Sequence, residues 1–184
     1  MAAQPPVCDF GANAPDFDLP DTKGNRHSLG SLMGEKGLVL MYICNHCPYV
    51  IAIASKLARD GKALQDMGFG VAAVCANDAE AYPDDSFENM VKFAEEQGFT
   101  FPYLHDESQA VAKAYGAVCT PDFFGYNAKG ALQFRGRLDA SGRYASPEDE
   151  PREMIEAMML VAKTGKGPAA QTPSIGCSIK WKDD

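Results

Sequence analysis

The chain has 184 residues, of which 46% are hydrophobic and 23% are charged, and this composition suits one folded domain with a full core. Its formal net charge of −8 and its pI near 4.9 argue against a surface built to bind nucleic acid or an anionic membrane. The first residues contain neither a basic nor an apolar segment typical of a secretion signal, and no apolar run is long enough to span a bilayer. We therefore expect a cytoplasmic protein.

The first half of the chain predicts a hairpin followed by a strand–helix–strand unit. In residues 10–32, apolar residues alternate with charged ones before an Asp-Thr-Lys-Gly turn, which is typical of a β-hairpin. The run 38–43 is almost entirely apolar, as in a central strand that is covered on both faces. Apolar residues at helical spacing follow Pro48, and residues 68–75 predict a second buried strand.

The second half predicts three helices and another hairpin. A helix over 86–97 is followed by a short helix between Asp106 and Gly116. The residues expected to face inward from this short helix are Ala110, Val111 and Ala114. Residues 123–137 predict a hairpin around an Asn-Ala-Lys-Gly turn, and a last helix is expected to start at 146–149.

This order of elements predicts an α/β protein whose mixed sheet carries helices on both faces, which is the thioredoxin fold with an N-terminal hairpin extension. We expect one domain over residues 1–184, with residues 165–184 as a C-terminal arm. Apolar residues occupy every second position near the end of this arm, so one face of an extended segment should pack against the body. These residues are Ile175, Cys177, Ile179 and Trp181.

Cys44 and Cys47 stand at the predicted junction between the strand 38–43 and the helix that follows Pro48. Two thiols at this spacing can close a disulfide with little movement of the backbone, and the free N–H groups of a helix start favour a thiolate over a thiol. His46 lies between them; its imidazolium would stabilise a neighbouring thiolate, although a solvent-facing role is an equal alternative. The motif predicts thiol–disulfide chemistry.

The sequence leaves open which of the two thiols attacks. Pro48 favours the first position of a helix, which makes Cys47 the N-cap and brings it closest to the helix dipole. A thioredoxin-type mechanism instead requires the N-terminal thiol, Cys44, to be the nucleophile.

Thr120 and Pro121 lie between a predicted helix and a predicted strand. In the thioredoxin fold, the proline at this position is typically cis and lies against the C-x-x-C motif, where its backbone can pair with a substrate strand. We therefore expect these two residues to position the substrate, and we expect Cys119 to lie near the active pair.

For the other cysteines, the sequence predicts a location but no definite role in the reaction. Cys75 is expected in the core, and Cys8 in a flexible terminus. Cys177 is either a remote resolving thiol or an apolar packing residue. A soft metal held by the C-x-x-C pair with Cys119 is a minor alternative, because no second C-x-x-C or spaced histidine pair completes a zinc site. No metal or other cofactor is predicted.

Several segments resemble the redoxin group, and more narrowly the peroxiredoxin-like proteins that carry a C-x-x-C. They are residues 14–24, 43–50, 119–124 and 173–182. The resemblance covers nearly the whole chain and implies a thioredoxin fold with redox-active cysteines. His46 matches the position that a histidine holds in protein disulfide isomerases.

The chain departs from both families that it resembles. If Cys47 is aligned with the peroxidatic cysteine of peroxiredoxins, Cys44 stands where their peroxide-orienting hydroxyl residue belongs. Arg135 or Arg137 would supply the cation that a peroxide site requires. Leu38 takes the position of the buried aspartate that accepts a proton in thioredoxins, so slow exchange or a different partner group would follow.

We predict a thiol–disulfide oxidoreductase in which Cys44 attacks a substrate disulfide, Cys47 resolves the mixed disulfide and His46 tunes the thiolate. Its partners would be protein or small-molecule disulfides and a thioredoxin- or glutathione-type reductant.

Two alternatives stay open. In the first, the protein is a thiol peroxidase in which Cys47 attacks hydrogen peroxide or an organic peroxide and either Cys44 or Cys177 resolves it. In the second, the cysteines form a redox-sensing or metal-binding module without catalysis.

Overall fold

The computed structural model of the protein describes residues 1–5 and 9–183. The strands are β1 (Ala2–Ala3), β2 (Asp18–Pro20), β3 (Arg26–Ser28), β4 (Gly37–Tyr42), β5 (Phe69–Cys75), β6 (Tyr103–His105), β7 (Cys119–Thr120), β8 (Asp122–Asn127), β9 (Leu132–Phe134) and β10 (Gly176–Ser178). The α-helices are α1 (Leu29–Leu32), α2 (Pro48–Ile51), α3 (Ala54–Asp66), α4 (Phe87–Gln97), α5 (Ala110–Tyr115) and α6 (Glu153–Thr164), and a 3₁₀ turn spans Pro83–Asp85. None of the helices in the described ranges is long and apolar enough to cross a membrane.

β4 is the centre of a five-stranded sheet with the strand order β6-β5-β4-β8-β9. All six of its residues are buried, as its unbroken apolar sequence predicts. β4 runs parallel to β5 and antiparallel to β8. Because a parallel pair needs a crossover connection, α2 and α3 carry the chain from the end of β4 back to the start of β5.

Successive side chains of β4 point to opposite faces of the sheet and so divide the core into two. Val39 and Met41 belong to the cluster that packs under α3, α4 and α6. Leu38, Leu40 and Tyr42 belong to the cluster that packs under α5 and the hairpin of β2 and β3. A mixed sheet covered on both faces is the thioredoxin fold, and the predicted fold class and N-terminal hairpin are confirmed.

The end of the chain forms a second, three-stranded sheet with the order β1-β10-β7. The predicted packing of the arm on the body is therefore confirmed, but the predicted apolar face is wrong in part. Ile179 is buried, whereas Ile175 and Trp181 are 37% and 39% exposed. Backbone hydrogen bonds between β10 and β7 hold this segment, so the alternating apolar side chains do not determine which face of the arm packs against the body.

The last helix begins at Glu153 and not at the predicted 146–149. Ser146 instead accepts two hydrogen bonds from the buried ammonium group of Lys56, one at its carbonyl and one at its hydroxyl. Pro151 also disfavours helical backbone at the residue before it. The segment before the helix therefore folds around Lys56 as a loop.

The short helix α5 buries Ala112 and Tyr115, while Ala110 and Ala114 face solvent. The predicted inward face is wrong in part, because of its three residues only Val111 packs against the core. The chain enters the helix through Gln109, a buried residue with φ of 64° in the left-handed region. The prediction for Cys8 concerns a residue outside the described ranges.

A buried ion pair fixes the segment that leads into the active site. The guanidinium of Arg135 donates to both carboxylate oxygens of Asp122, at 3.3 and 2.9 Å. The same group donates to the carbonyl of Gly116 at 2.7 Å, and Asp122 accepts a further hydrogen bond from the N–H of Val118. Residues 116–122 are thereby held against β9, and this segment includes Thr120 and Pro121.

We expect Asp122→Asn to lower the free energy of unfolding by about 3 kcal/mol, because the buried Arg135 cation would lose its counter-charge. Chemical denaturation of the reduced protein measures this change. The matched control is Asp18→Asn, which removes an Asp–Arg pair with Arg26 whose side chains are 64% and 60% exposed. The control should cost less than about 1 kcal/mol. Equal losses in the two variants would contradict a structural role for the buried pair.

Candidate active site

The two cysteines of the C-x-x-C motif lie at the junction of β4 and α2. The N–H of Ile43 still pairs with β5, and the chain then turns through Cys44, Asn45 and His46. Cys47 is the N-cap of α2, with extended backbone (φ −67°, ψ 124°), and Pro48 follows at the first helical position. This is the geometry that a residue before proline favours. Cys44 and Cys47 are 1% and 0% exposed.

The peptide bond between Thr120 and Pro121 is cis, as predicted. Thr120 contacts both thiols of the motif. Its hydroxyl lies 3.3 Å from the Sγ of Cys44, and its carbonyl oxygen accepts a hydrogen bond of 3.1 Å from the Sγ of Cys47. The structure thus brings Thr120 into contact with both motif cysteines, which lie more than 70 positions away in the sequence.

Asp85 is a site residue that sequence reasoning missed. Its carboxylate is fully buried; Oδ1 accepts a hydrogen bond of 2.8 Å from the N–H of Asn45, and Oδ2 accepts one of 2.7 Å from the side chain of Asn77. An aspartate before Ser86 suggested only a helix cap, since nothing in the sequence links it to a loop 40 positions away. The structure thus has an acid group beside the buried Cys44 thiol, although Leu38 occupies the position of the thioredoxin aspartate.

His46 sits above this carboxylate and is partly open to solvent. Its Nδ1 lies 2.8 Å from Asp85 Oδ2, which is within ion-pair distance, although the two are not aligned as a hydrogen bond. Its ring stacks on Tyr82 with 6.1 Å between the centroids. With 32% of its side chain exposed, His46 connects the buried pair of Asp85 and Cys44 with solvent.

The environment of Cys47 favours a thiolate. A hydrogen bond from the Cys44 thiol is the largest cause that lowers the pKa of Cys47, to about 5, against the opposing effect of burial. The thiol and N–H of Cys177 and the N–H of Val50 lower this pKa further. The Thr120 carbonyl favours the protonated form, since it accepts from the thiol. Several donors and a helix start outweigh this one acceptor.

The environment of Cys44 favours a thiol. Its hydrogen bond to Cys47 and its burial raise the pKa of Cys44, and the negative charge of Asp85 raises it further. The surroundings of the two sulfurs therefore act in opposite directions: they raise the pKa of Cys44 and lower the pKa of Cys47.

Three other predicted residues lie outside this pair. Cys119 is buried, its thiol donates to the Pro121 carbonyl, and burial raises its pKa to about 12. Cys75 is a core residue at the end of β5, as predicted, and burial likewise raises its pKa to about 12. Arg137 forms an ion pair with Glu153 at 2.6 Å.

Cys177 of β10 reaches the site from the C-terminal arm. Cys177 lies opposite Thr120 in the ladder between β10 and β7, and the carbonyl of Thr120 contacts the sulfur of Cys47. Cys177 also packs against the same core cluster as the motif cysteines. Burial and the contact with Cys47 raise the pKa of Cys177 to about 11. Cys177 is only partly buried, unlike the two thiols that it covers.

Three groups in the described part of the chain could together hold a metal ion. The Sγ of Cys44, a ring nitrogen of His46 and a carboxylate oxygen of Asp85 all lie within 4.8 Å of one another. This set differs from the one suggested by the sequence, because Cys119 is not part of it. Both oxygens of Asp85 already accept hydrogen bonds from Asn45 and Asn77, which reduces their capacity to bind a cation.

Comparisons with known proteins agree with this geometry. A family model described as the AhpC/TSA family matches residues 10–135. The crystal structure of an uncharacterized conserved protein from Geobacillus kaustophilus is 40% identical, has a TM-score of 0.94, and is aligned over 100% of this chain and 98% of its own.

Two named relatives point to different thiol chemistries. Peroxiredoxin Bcp from Escherichia coli (strain K12) is 27% identical over 133 residues, which are 72% of this chain and 80% of that protein. Thiol-disulfide oxidoreductase ResA from Geobacillus thermodenitrificans (strain NG80-2) is 32% identical over 117 residues, which are 62% of this chain and 61% of that protein.

We expect the ultraviolet thiolate absorbance of the reduced protein to rise with a midpoint near pH 5, because Cys47 is a thiol below its pKa of about 5 and a thiolate above it. Cys44→Ala should move the midpoint upwards, since it removes the donor that lowers this pKa most. Cys75→Ala, which removes a buried thiol outside the site, is the control and should leave the midpoint unchanged. A low-pH step that persists in Cys47→Ala would assign the thiolate to another sulfur.

Proposed function

The chain belongs to the AhpC/TSA family, and we propose on this premise that it is a thiol–disulfide oxidoreductase that cycles between a Cys44–Cys47 dithiol and the corresponding disulfide. One observation carries the proposal: two adjacent buried thiols with opposite pKa shifts lie against a cis-proline segment. A reactive thiolate and a neighbouring protonated thiol are what two successive exchange steps require.

The proton distribution supports Cys47 as the attacking thiol, which reverses the roles predicted from the sequence. The Cys47 thiolate attacks one sulfur of a substrate disulfide, forms a mixed disulfide and releases the first substrate thiolate. Cys44 then loses its proton and attacks the sulfur of Cys47. This second step closes the Cys44–Cys47 disulfide and releases the second substrate thiol, so the substrate is reduced by two electrons and the protein is oxidised by two.

Asp85 and His46 support the second step. Cys44 holds its proton firmly in the resting dithiol and must lose it before it can attack. The Asp85 carboxylate lies beside the thiol, and His46 offers a path from that carboxylate to solvent. A thioredoxin- or glutathione-type thiol would then return the pair to the dithiol in a reducing compartment such as the cytoplasm.

A thiol peroxidase is the second candidate, and the Cys47–Pro48 step at a helix start favours it because it also holds a low-pKa thiolate. Two observations weigh against it. Cys44 occupies the position of the hydroxyl residue that orients peroxide in peroxiredoxins. The two arginines suggested for that site, Arg135 and Arg137, form ion pairs with Asp122 and Glu153. We therefore expect wild-type protein to react faster with oxidised glutathione than with hydrogen peroxide.

Reaction with an aromatic disulfide that releases a coloured thiol tests the assignment of roles. Cys44→Ser should retain the rapid release of the first thiol equivalent, because Cys47 is still present and the serine hydroxyl, unlike an alanine methyl group, can donate a hydrogen bond to its sulfur. Cys47→Ser should lose that rapid release, since the pKa values of the other thiols in the described ranges are raised, which keeps them protonated at neutral pH. Stopped-flow absorbance measures both at pH 7. A rapid release that survives in Cys47→Ser and disappears in Cys44→Ser would restore Cys44 as the nucleophile.

Asp85→Asn should slow the appearance of the Cys44–Cys47 disulfide by about 10²-fold, because it removes the proton acceptor for Cys44. The release of the first thiol equivalent should be nearly unaffected. Rapid acid quenching followed by mass spectrometry measures the disulfide directly. Asp84→Asn is the matched control, since the Asp84 side chain is exposed and only its backbone carbonyl contacts Asn45. Similar slowing in both variants would exclude a specific role for Asp85.

A further inference from the structure

The C-terminal arm occupies the edge at which a substrate strand would be expected to pair. β10 runs antiparallel to β7, with Cys177 opposite Thr120 and Ser178 opposite Cys119. These partners are the two residues directly before Pro121, the position where the sequence predicts backbone pairing with a substrate. The chain thus places one of its own strands beside its C-x-x-C motif.

Specific contacts hold the arm in this position from both sides. A Cβ at Gly176 would overlap the carbonyl oxygen of Thr120, so only glycine permits this close approach of the two backbones. Beyond Cys177, the N–H of Lys180 donates to the side chain of Asn77 at 2.9 Å. The amide of Gln109 donates to the Lys180 carbonyl at 2.8 Å.

These contacts tie the arm to the active site itself. Asn77, which accepts from Lys180, donates through its amide to the buried carboxylate of Asp85. Ile179 is buried, and its N–H donates to the carbonyl of Val118. The strand that carries Cys177 is therefore fastened at its start and at its end, and the thiol between them is held against Cys47.

We propose that Cys177 is a third redox-active thiol, which the C-terminal arm presents to Cys47 in the position of a substrate strand and which closes a Cys47–Cys177 disulfide. The inference rests on the proposed function, in which Cys47 is the attacking thiol. A packing role would explain a buried apolar sulfur, but it does not explain a partly exposed thiol on a strand that pairs with Thr120, the residue whose carbonyl contacts the Cys47 sulfur.

Formation of the Cys47–Cys177 disulfide requires no oxidant other than the substrate disulfide, for example oxidised glutathione. Cys47 attacks oxidised glutathione, forms a Cys47–glutathione mixed disulfide and releases one reduced glutathione. The sulfur of Cys177 then attacks the sulfur of Cys47 and transfers its proton to the departing glutathione thiolate. The products are the Cys47–Cys177 disulfide and a second reduced glutathione.

This bond would change how the oxidised protein is reduced. The sulfurs of the Cys44–Cys47 disulfide are buried, whereas Cys177 is partly open to solvent. A thiol reductant would attack the accessible Cys177 sulfur, and Cys47 would leave as a stabilised thiolate; a leaving thiol of low pKa departs faster. In the Cys47–Cys177 disulfide, one of the two bonded sulfurs would therefore be accessible to a thiol of a partner molecule.

Limiting oxidised glutathione added to reduced Cys44→Ser, followed by acid quenching and mass spectrometry, tests the proposal. We expect the Cys47–glutathione adduct to convert into a Cys47–Cys177 disulfide. In Cys44→Ser/Cys177→Ser the adduct should persist at least about tenfold longer, because only an attack from within the molecule has the advantage of proximity.

A displaced thiol provides the matched control. In Cys44→Ser/Cys177→Ser/Ser178→Cys the arm keeps a thiol one residue further along β10, on the opposite face of the strand. We expect this variant to retain the adduct. Gly176→Val in the Cys44→Ser background keeps Cys177 but pushes the arm from Thr120, and it should also retain the adduct.

The outcomes separate this proposal from the proposed function. A persistent Cys47 adduct with free Cys177 in Cys44→Ser overturns the role of Cys177 and leaves the function intact. Failure of Cys47 to form an adduct in Cys44→Ser/Cys177→Ser overturns the function itself. If circular dichroism shows that the variants are unfolded, the same oxidation is carried out on wild-type protein. We then expect a Cys47–Cys177 disulfide in addition to the Cys44–Cys47 disulfide, and its absence would overturn the proposal.

Discussion

The active site depends on the contacts made by one residue, Thr120. Its hydroxyl lies against Cys44, its carbonyl accepts from Cys47, and its backbone pairs with Cys177. Three thiols from two distant parts of the chain are therefore organised around a single peptide unit. The buried ion pair between Asp122 and Arg135 fixes the segment that contains Thr120, and it thereby helps to determine the positions of the three sulfurs.

Two cysteines only three positions apart meet opposite electrostatic environments. Cys47 is the N-cap of a helix, whereas Cys44 lies beside the buried carboxylate of Asp85. Because both sulfurs are shielded from water, these local charges act at low effective dielectric and are not screened. These surroundings lower the pKa of Cys47 and raise the pKa of Cys44.

The chain combines features of two chemistries that its relatives represent separately. The Cys47–Pro48 step matches the peroxidatic position of peroxiredoxins, while the second thiol and the cis Pro121 match disulfide exchange. The thiolate alone serves either reaction. The neighbouring thiol of Cys44, with a proton acceptor beside it, favours disulfide exchange.

Much of this could be predicted from the sequence, because the signals concerned are local. The apolar run of β4, the C-x-x-C before Pro48 and the Thr120–Pro121 step each depend on a few consecutive residues, and together they specified the fold and the reactive pair. The start of α6 and part of the inward face of α5 were predicted wrongly. A buried lysine holds the segment before α6 in a loop, and α5 follows the left-handed Gln109, features that local periodicity does not contain.

Only the tertiary structure decided what surrounds the two thiols. Asp85 and Cys177 lie far from the motif in sequence, and their positions follow from the packing of a 3₁₀ turn and of an arm against the sheet. A sequence pattern records which side chains are available, but pKa values depend on distance and burial in three dimensions. The sequence therefore determined that two cysteines stand together at a strand–helix junction, and the fold decided which of them lies in surroundings that favour a thiolate.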